Sequence, residues 1–439
     1  MLYLGQSKFS LRKVSKLYLN TEMMTFAEEN GYELPKNFVM MATNMQLLKN
    51  DNVKLQINHF FKPKKVFWEL AEQRFLRKYS SLYEGAKPLK YAQAKKECVT
   101  NSSSGIVAKE ETGQMKKRGI LEHEEKWLKG KILDISRGKP VIEVLQNGPK
   151  EEIRPLEKLV HEDLSKRKQR AFMSSGMVHH FVGLMLFYNQ NQRRLERLLR
   201  PDEWSAAGCS LYNGGWDAMA RKLLGQGINK FRCKDVTAME SSVVREIQRV
   251  IYGARAVCYR AGMTWEKDPD FDEPLDYHRL FDWWVQNTIF SVVLDFEGKV
   301  WLKCGQNASG QYLTLFDNID AMELVFSYHL AKVCPFPQMS DYTQFVSSKV
   351  LLLMGDDSIF PDDSVWDGLD NSAGECGFAM TDEVDEPVPL ERAKFCGFSW
   401  LKGKHNTWLF RPTVEKILAN VFFNFKKQSF RLCYAKLCA

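Results

Sequence analysis

The sequence of 439 residues is poor in the features that mark most extracellular, metal-knuckle or membrane proteins. Its ten cysteines are scattered from Cys98 to Cys438, and none stands in a C-x-x-C pair. That spacing excludes a zinc ribbon and supplies no disulfide framework, so the thiols are expected to be free in a reducing compartment. The most apolar run, Met173 to Tyr188, falls short of the ~20 residues a membrane span needs and contains His179 and His180. No signal-peptide pattern opens the chain and no internal repeat is visible. Residues 1–90 carry no recognisable motif. From Gly355 to Glu391 there is not one Lys or Arg. The expectation is a soluble intracellular protein with no intrinsic membrane span.

What is present points to a large α/β enzyme built in two or three parts. The net charge of +8 permits an acidic partner such as nucleic acid without proving one. The charge is unevenly placed. Lys150 to Arg200 holds eleven Lys and Arg against six Asp and Glu, whereas Gly355 to Glu391 holds twelve Asp and Glu. A basic and an acidic stretch in one chain suit a site that takes both phosphates and metal cations. Leu195, Leu198 and Leu199 suggest a basic amphipathic helix. Two buried hairpins are expected. One runs Thr288–Leu294, a Glu297-Gly298 turn, then Val300–Leu302. The other runs Val350–Met354, Gly355-Asp356-Asp357, then Ile359-Phe360, with both aspartates at its tip.

Four segments carry candidate chemistry, and each has an ordinary alternative. Gly355-Asp356-Asp357 could be a polar turn, but two carboxylates delivered to a tight turn repel each other unless a cation joins them, and Mg²⁺ prefers carboxylate and phosphate oxygens. Ser309-Gly310, Thr314 and Asn318 form the pattern S-G-x3-T-x3-N, in which Thr314 and Asn318 share one helix face; incidental polar residues on a capped helix would look the same. Asp235, ending a strand-like Lys230–Lys234 segment five residues before Glu240, could be a third metal ligand or a surface acid. Lys150, Arg154, Lys158, Lys168 and Arg170 are spaced along extended chain, which suits a triphosphate as well as a solvated face.

The order of these segments is decisive. A basic segment, Asp-x4-acid, S-G-x3-T-x3-N, Gly-Asp-Asp and then Phe395-Cys396-Gly397-Phe398 resembles motifs F, A, B, C and E of the RNA-dependent RNA polymerases of positive-strand RNA viruses. Gly214-Gly215-Trp216-Asp217, Gly305-Gln306-Asn307-Ala308-Ser309-Gly310-Gln311 and Phe395–Phe398 are most similar to the astrovirus polymerases. The resemblance covers about residues 95–411. It implies a right-hand α/β fold of fingers, palm and thumb with an antiparallel palm sheet. Residues 1–94 would be an N-terminal region with fingertips, 95–229 fingers, 230–400 palm with a fingers insertion around 255–304, and 401–439 a short thumb. It also implies that Asp235 and Asp356 hold two Mg²⁺ (or Mn²⁺) ions with help from Asp357. The basic residues would line the triphosphate, and Glu240, Ser309, Gly310, Thr314 and Asn318 would sense the ribose and templating base. Ser103, Ser104 and Gly105 resemble the template-guiding motif G, and Phe395, Cys396, Gly397 and Phe398 the primer grip. The implied partners are template and primer RNA, rNTPs and other viral replication proteins, in replication complexes of the host cytoplasm.

Three departures stand out. Glu240 occupies a place where the family usually has Asp. No lysine fills motif D before Arg392 and Lys394, which leaves the general acid unassigned, because a guanidinium hardly ever gives up its proton. Few residues follow motif E for a thumb. A reverse transcriptase would also place a carboxylate pair at a hairpin tip but would lack the S-G-x3-T-x3-N helix. An RNA-binding module that has lost catalysis is a second alternative, although all three aspartates survive.

Overall fold

A computed structural model describes residues 2–7, 18–31, 33, 38–39, 44–52, 60–150, 152–163, 167, 169–333 and 338–424. Its functional centre is a four-stranded antiparallel sheet. The strand order is Leu352–Met354, Asp357–Pro361, Phe231–Thr237, Ala379–Asp382. The sheet is buried on both faces. Val236, Leu353 and Phe360 join the main core, where Phe360 meets Phe326 edge-on at 5.5 Å. Phe231, Cys233, Leu352 and Ile359 pack on the other side against Trp216, Met219 and Leu223 of the helix Gly215–Leu224 and Trp400 of the hairpin Phe398–Lys402/Trp408–Pro412. This two-face alternation is the period-2 signature of a strand between two layers.

A second, mixed sheet runs Leu2–Gln6, Lys299–Cys304, Phe290–Leu294, Val144–Pro149, Ala171–Ser174; its one parallel pair joins Val144–Pro149 to Phe290–Leu294. Both expected hairpins are present, with shifted edges. Thr288 belongs to the helix Tyr277–Ile289, so the first strand starts at Phe290. Asp295 closes that turn by accepting from the backbone N–H of Glu297 and Lys299. Asp235 does not end its strand but lies inside it, opposite Thr381. The apolar run from Met173 divides at Gly176 into a strand end and the buried helix Met177–Leu195. The expected helix through Leu198 and Leu199 stops at Leu195, because Leu199 takes a φ of +64°. Among the described residues no helix is long and apolar enough to cross a membrane. Lys168 and residues 425–439 lie outside the described residues.

The helix Thr314–Val333 is buried nearly all round, as a core helix must be. It nevertheless carries Asp317, Asp320 and Glu323. Buried carboxylates survive only when paired, and the partners come from three other helices. Arg74 and Lys78 of Lys65–Tyr83 reach Glu323 at 3.1 and 3.0 Å. Arg194 bonds Asp320 and donates to the Tyr79 hydroxyl, which donates to Glu323 at 2.5 Å. Arg255 of Arg245–Arg255 stands 3.9 Å from Asp320. Burial alone would push the Glu323 carboxyl up, yet Lys78, Arg74 and Arg194 hold it well below its ordinary value. Glu323→Leu takes the carboxylate from the buried Arg74 and leaves Lys78 with Glu203 alone. Urea denaturation is expected to show a loss of about 3–5 kcal/mol, and an unchanged midpoint would contradict the account.

Candidate active site

The sheet register assembles the acids. Ser358 pairs with Lys234 and Ile359 with Cys233, so the strand bearing Asp357 runs beside the one bearing Asp235. Gly355 and Asp356 form the two-residue turn between Met354 and Asp357, with Gly355 at φ +68°, a conformation that L side chains rarely adopt. The Asp235 and Asp356 carboxyls come within hydrogen-bonding reach of each other. One oxygen of Asp235 also accepts from the Val236 N–H at 2.8 Å. Burial and the neighbouring Asp356 raise the pKa of Asp235 above its ordinary value. Asp357 is pushed up to about 7 by burial, Asp356, Glu383 and Asp235. Its carboxyl also bonds the Cys396 side chain.

A basic wall faces these acids. Arg170 precedes the strand Ala171–Ser174, and its guanidinium lies in the combined field of Glu152, Glu240, Asp356 and Asp51, which outweighs the effect of burial. Lys150, Arg154 and Arg170 all gather on Glu152, at 3.3, 3.1 and 3.6 Å. Three cations from separate positions thus converge around one carboxylate. Lys158 lies on the short helix Glu157–Val160.

Ser309 and Gly310 clamp the basic strand to the start of the long helix. The Ser309 hydroxyl accepts from the Met173 N–H at 3.3 Å, and the Gly310 N–H donates to the Met173 carbonyl at 2.7 Å. A Cβ on Gly310 would lie 2.5 Å from that carbonyl oxygen, so only glycine allows the approach. The Thr314 hydroxyl is committed to the loop carbonyls of Ala308 and Gln311 at 2.6 and 3.0 Å. Its proton is therefore spent on holding the helix start, which departs from the expectation that it points at a ligand. Asn318 accepts from the Asn307 side chain at 2.6 Å, and Asn307 also donates its N–H to the Glu240 carbonyl at 2.7 Å.

Two expectations need correction. Phe395 is fully buried and stacks on Trp400, while Phe398 packs on Trp216 and Phe410. Phe395 is core and is not free to grip a primer, while Phe398 is partly buried with its ring engaged by its neighbours. Cys396 and Gly397, at φ +55° and +76°, form the tight turn between them, with mutual backbone bonds from Phe395 to Phe398 at 2.9 and 3.0 Å. Ser104 is fully buried, and its hydroxyl donates to the Gln114 carbonyl. Gly105, at φ +90°, lets the chain pass so close to Gly176 that a Cβ would sit 2.4 Å from its Cα. Of that trio only Ser103 keeps side-chain surface.

Sequence reasoning gave no role to Glu152, Glu383, Lys394 or Asn307. Glu383 is raised by burial and Asp356 against the pull of Lys394. Its N–H donates to the Cys233 carbonyl at 2.9 Å, and the Lys394 N–H reaches the Cys233 sulfur at 3.3 Å. No spacing pattern connects these positions; only the sheet does.

The family model for viral RNA-dependent RNA polymerase matches residues 31–432. The chain belongs to that family. A stretch of 261 residues is 25% identical to the non-structural polyprotein 1AB of Turkey astrovirus 1. It covers 55% of this chain and 15% of that much longer polyprotein. The polymerase is thus an RNA-directed RNA polymerase of mixed helix and sheet, and the four-stranded sheet corresponds to the palm-type architecture its family implies.

Does the polymerase's acidic site fit divalent metal? Among the described residues no group of three or more His, Cys, Asp or Glu side chains is placed to hold a metal ion as the protein stands. Yet burial and the neighbouring acids raise the proton affinity of Asp235, Asp357 and Glu383, and hard oxygen donors that repel one another are what a Mg²⁺ site offers when substrate phosphates complete it. The sign of the pH effect follows. Asp235, Asp357 and Glu383 have folded pKa values above their unfolded ones, so the fold is favoured by these groups in acid. That contribution is lost as pH rises through the folded values, up to about 7 for Asp357. A divalent cation replaces the lost protons. Mg²⁺ should therefore raise Tm more at about pH 8 than at about pH 5.5. Equal shifts at both pH values, by differential scanning fluorimetry, would count against metal binding here.

Proposed function

We propose that the polymerase performs template-directed transfer of nucleotidyl groups from rNTPs to an RNA 3′-hydroxyl, by two-metal catalysis, in replicating a viral RNA genome. The observation that carries this reading is the meeting of Asp235 and Asp356 from distant parts of the chain, within the field of Arg170, which gathers with Lys150 and Arg154 on Glu152. Asp235 and Asp356 would hold Mg²⁺ or Mn²⁺, with Asp357 adjusting the field from its bond to Cys396. The bound metals would activate the 3′-hydroxyl and neutralise the leaving pyrophosphate. The chain itself positions groups and stabilises charge, as phosphoryl transfer requires.

In the resting protein Glu152 holds the three basic side chains together. A triphosphate brings more charge than one carboxylate and would compete with Glu152 for them, with Arg170 gripping two oxygens at once. Lys168, which lies outside the described residues, would also bind the triphosphate. Glu240, Ser309, Gly310 and Asn318 would form the ribose side, where a 2′-hydroxyl can both donate and accept, while Thr314 holds the helix start behind them. Fingers would be residues 95–229, palm 230–400 and thumb the chain after 401. The partners would be template and primer RNA and other viral replication proteins, in the host cytoplasm.

Asp235→Asn or Asp356→Asn should abolish primer extension while RNA affinity in filter binding stays nearly intact, since that affinity rests on Lys and Arg contacts to phosphate. Parallel loss of both would point to a wrong site. Arg170→Ala should raise the apparent KM for all four rNTPs alike, because a phosphate contact carries no base information. A change confined to one base would mean that Arg170 faces the nucleobase or template.

A further inference from the structure

The loop before the long helix contains a chain of side-chain amides in which each fixes the orientation of the next. It starts at Asp317, which is fully buried. One of its oxygens, Oδ2, accepts from the Tyr252 hydroxyl at 2.8 Å and from the Gln311 amide nitrogen at 3.2 Å. A proton on Asp317 would sit on the other oxygen, so Oδ2 is an acceptor in either state. The same Gln311 nitrogen donates to Asn307 Oδ1. Asn307 must then turn its NH2 the other way, toward the Thr314 carbonyl at 3.1 Å and Asn318 Oδ1 at 2.6 Å. An amide has one accepting end and one donating end. Once Asn318 accepts from Asn307, its own NH2 is the end left for a ligand.

The frame around this relay is built to hold Asn307 in place. Asn307 is fully buried, and its backbone N–H is fixed on the Glu240 carbonyl at 2.7 Å. The preceding residue, Gln306, has a φ of +63°, which is rare for a side chain of its kind. Its carbonyl accepts from the buried Lys303 ammonium at 2.7 Å and from the Gln248 amide at 3.1 Å, while its N–H donates to the Val243 carbonyl at 2.7 Å. A strained residue held from three sides defines the position of the next one tightly.

We propose that Asn307 is a positioning residue for ribose selection: it fixes the amide of Asn318 with its NH2 toward the sugar, under the direction of Gln311 and Asp317. This rests on the reading above that Asn318 faces the ribose of the incoming nucleotide. With the relay intact, Asn318 offers a donor to the 2′-oxygen. With it broken, the Asn318 amide is no longer held and can turn its carbonyl oxygen to the sugar, at a cost only a ribonucleotide feels.

The test is primer extension on RNA with rNTP and dNTP, comparing kcat/KM ratios for the wild type, Asn307→Ala, Asn307→Asp, Gln311→Met, Asn318→Ala and the Asn307→Ala/Asn318→Ala double variant. Asn307→Asp keeps the acceptor toward Gln311 but removes the donor toward Asn318. Gln311→Met leaves Asn307 in place and frees its amide, so it reads the relay should Asn307 variants fold poorly. The ribo-to-deoxy ratio should fall about tenfold in each single variant, chiefly through the rNTP arm. The double variant should be no worse than Asn318→Ala alone. If Asn318→Ala lowers the ratio while Gln311→Met and both Asn307 variants keep the wild-type value, or if the double variant loses selectivity additively, the inference is overturned and the polymerase reading stands. If Asn318→Ala itself leaves the ratio unchanged, the ribose role of Asn318 and this inference both fall. Absence of any incorporation by the wild type would instead remove the proposed function.

Discussion

Acidic side chains that repel one another are held together by the register of a single sheet. Setting Ser358 against Lys234 and Thr381 against Asp235 brings the 235, 357 and 383 positions onto adjoining strands, with Asp356 at the turn beside them. Nothing local would choose this arrangement, since each carboxylate raises the cost of the next. It is imposed by burial on both faces of the sheet, where Phe231, Cys233 and Ile359 fix one side and Val236 and Phe360 the other. Slipping the register by one residue would send these apolar side chains to the opposite layers. The core therefore supplies the energy that keeps the acids in mutual contact, and the site inherits a standing demand for positive charge.

That demand is met from one side by the Lys150, Arg154 and Arg170 wall, whose members collect on Glu152. The Ser309-Gly310 clamp ties the wall to the long helix, and the Asn307 relay ties the helix to Glu240. A displacement of any of these segments is felt by the next through backbone bonds rather than through long flexible side chains. The tight turn at Cys396-Gly397 plays the same part on the far side, where it brings a thiol against Asp357.

Much of the candidate site was legible as motif order, because metal and phosphate chemistry restricts which residue types can serve. Gly355, with its positive φ, and Gly310, with its close approach to Met173, could be read as glycines with a purpose. Both hairpins were visible from apolar runs and turn residues. The errors share one cause: exposure is a tertiary property. Phe395 and Ser104 sit in motifs associated with RNA, yet both are fully buried. Thr314 has the spacing of a ligand contact, but its proton goes to loop carbonyls. Glu383 and Asn307 gain their meaning only from strand pairing and loop closure across long stretches of sequence, which no local pattern encodes.

The ion network behind the sheet has a consequence for how the chain comes into being. Arg74, Lys78, Arg194 and Arg255 all precede Asp320 and Glu323 in the order of synthesis. Until the long helix emerges from the ribosome, Lys78 and Arg194 have only the buried Glu203 as an interior counter-charge, and Arg74 and Arg255 lack the carboxylates of Glu323 and Asp320. The helices that carry them cannot finish packing before then. The three surrounding helices and the long helix therefore close as one cooperative unit only once residue 323 has been made.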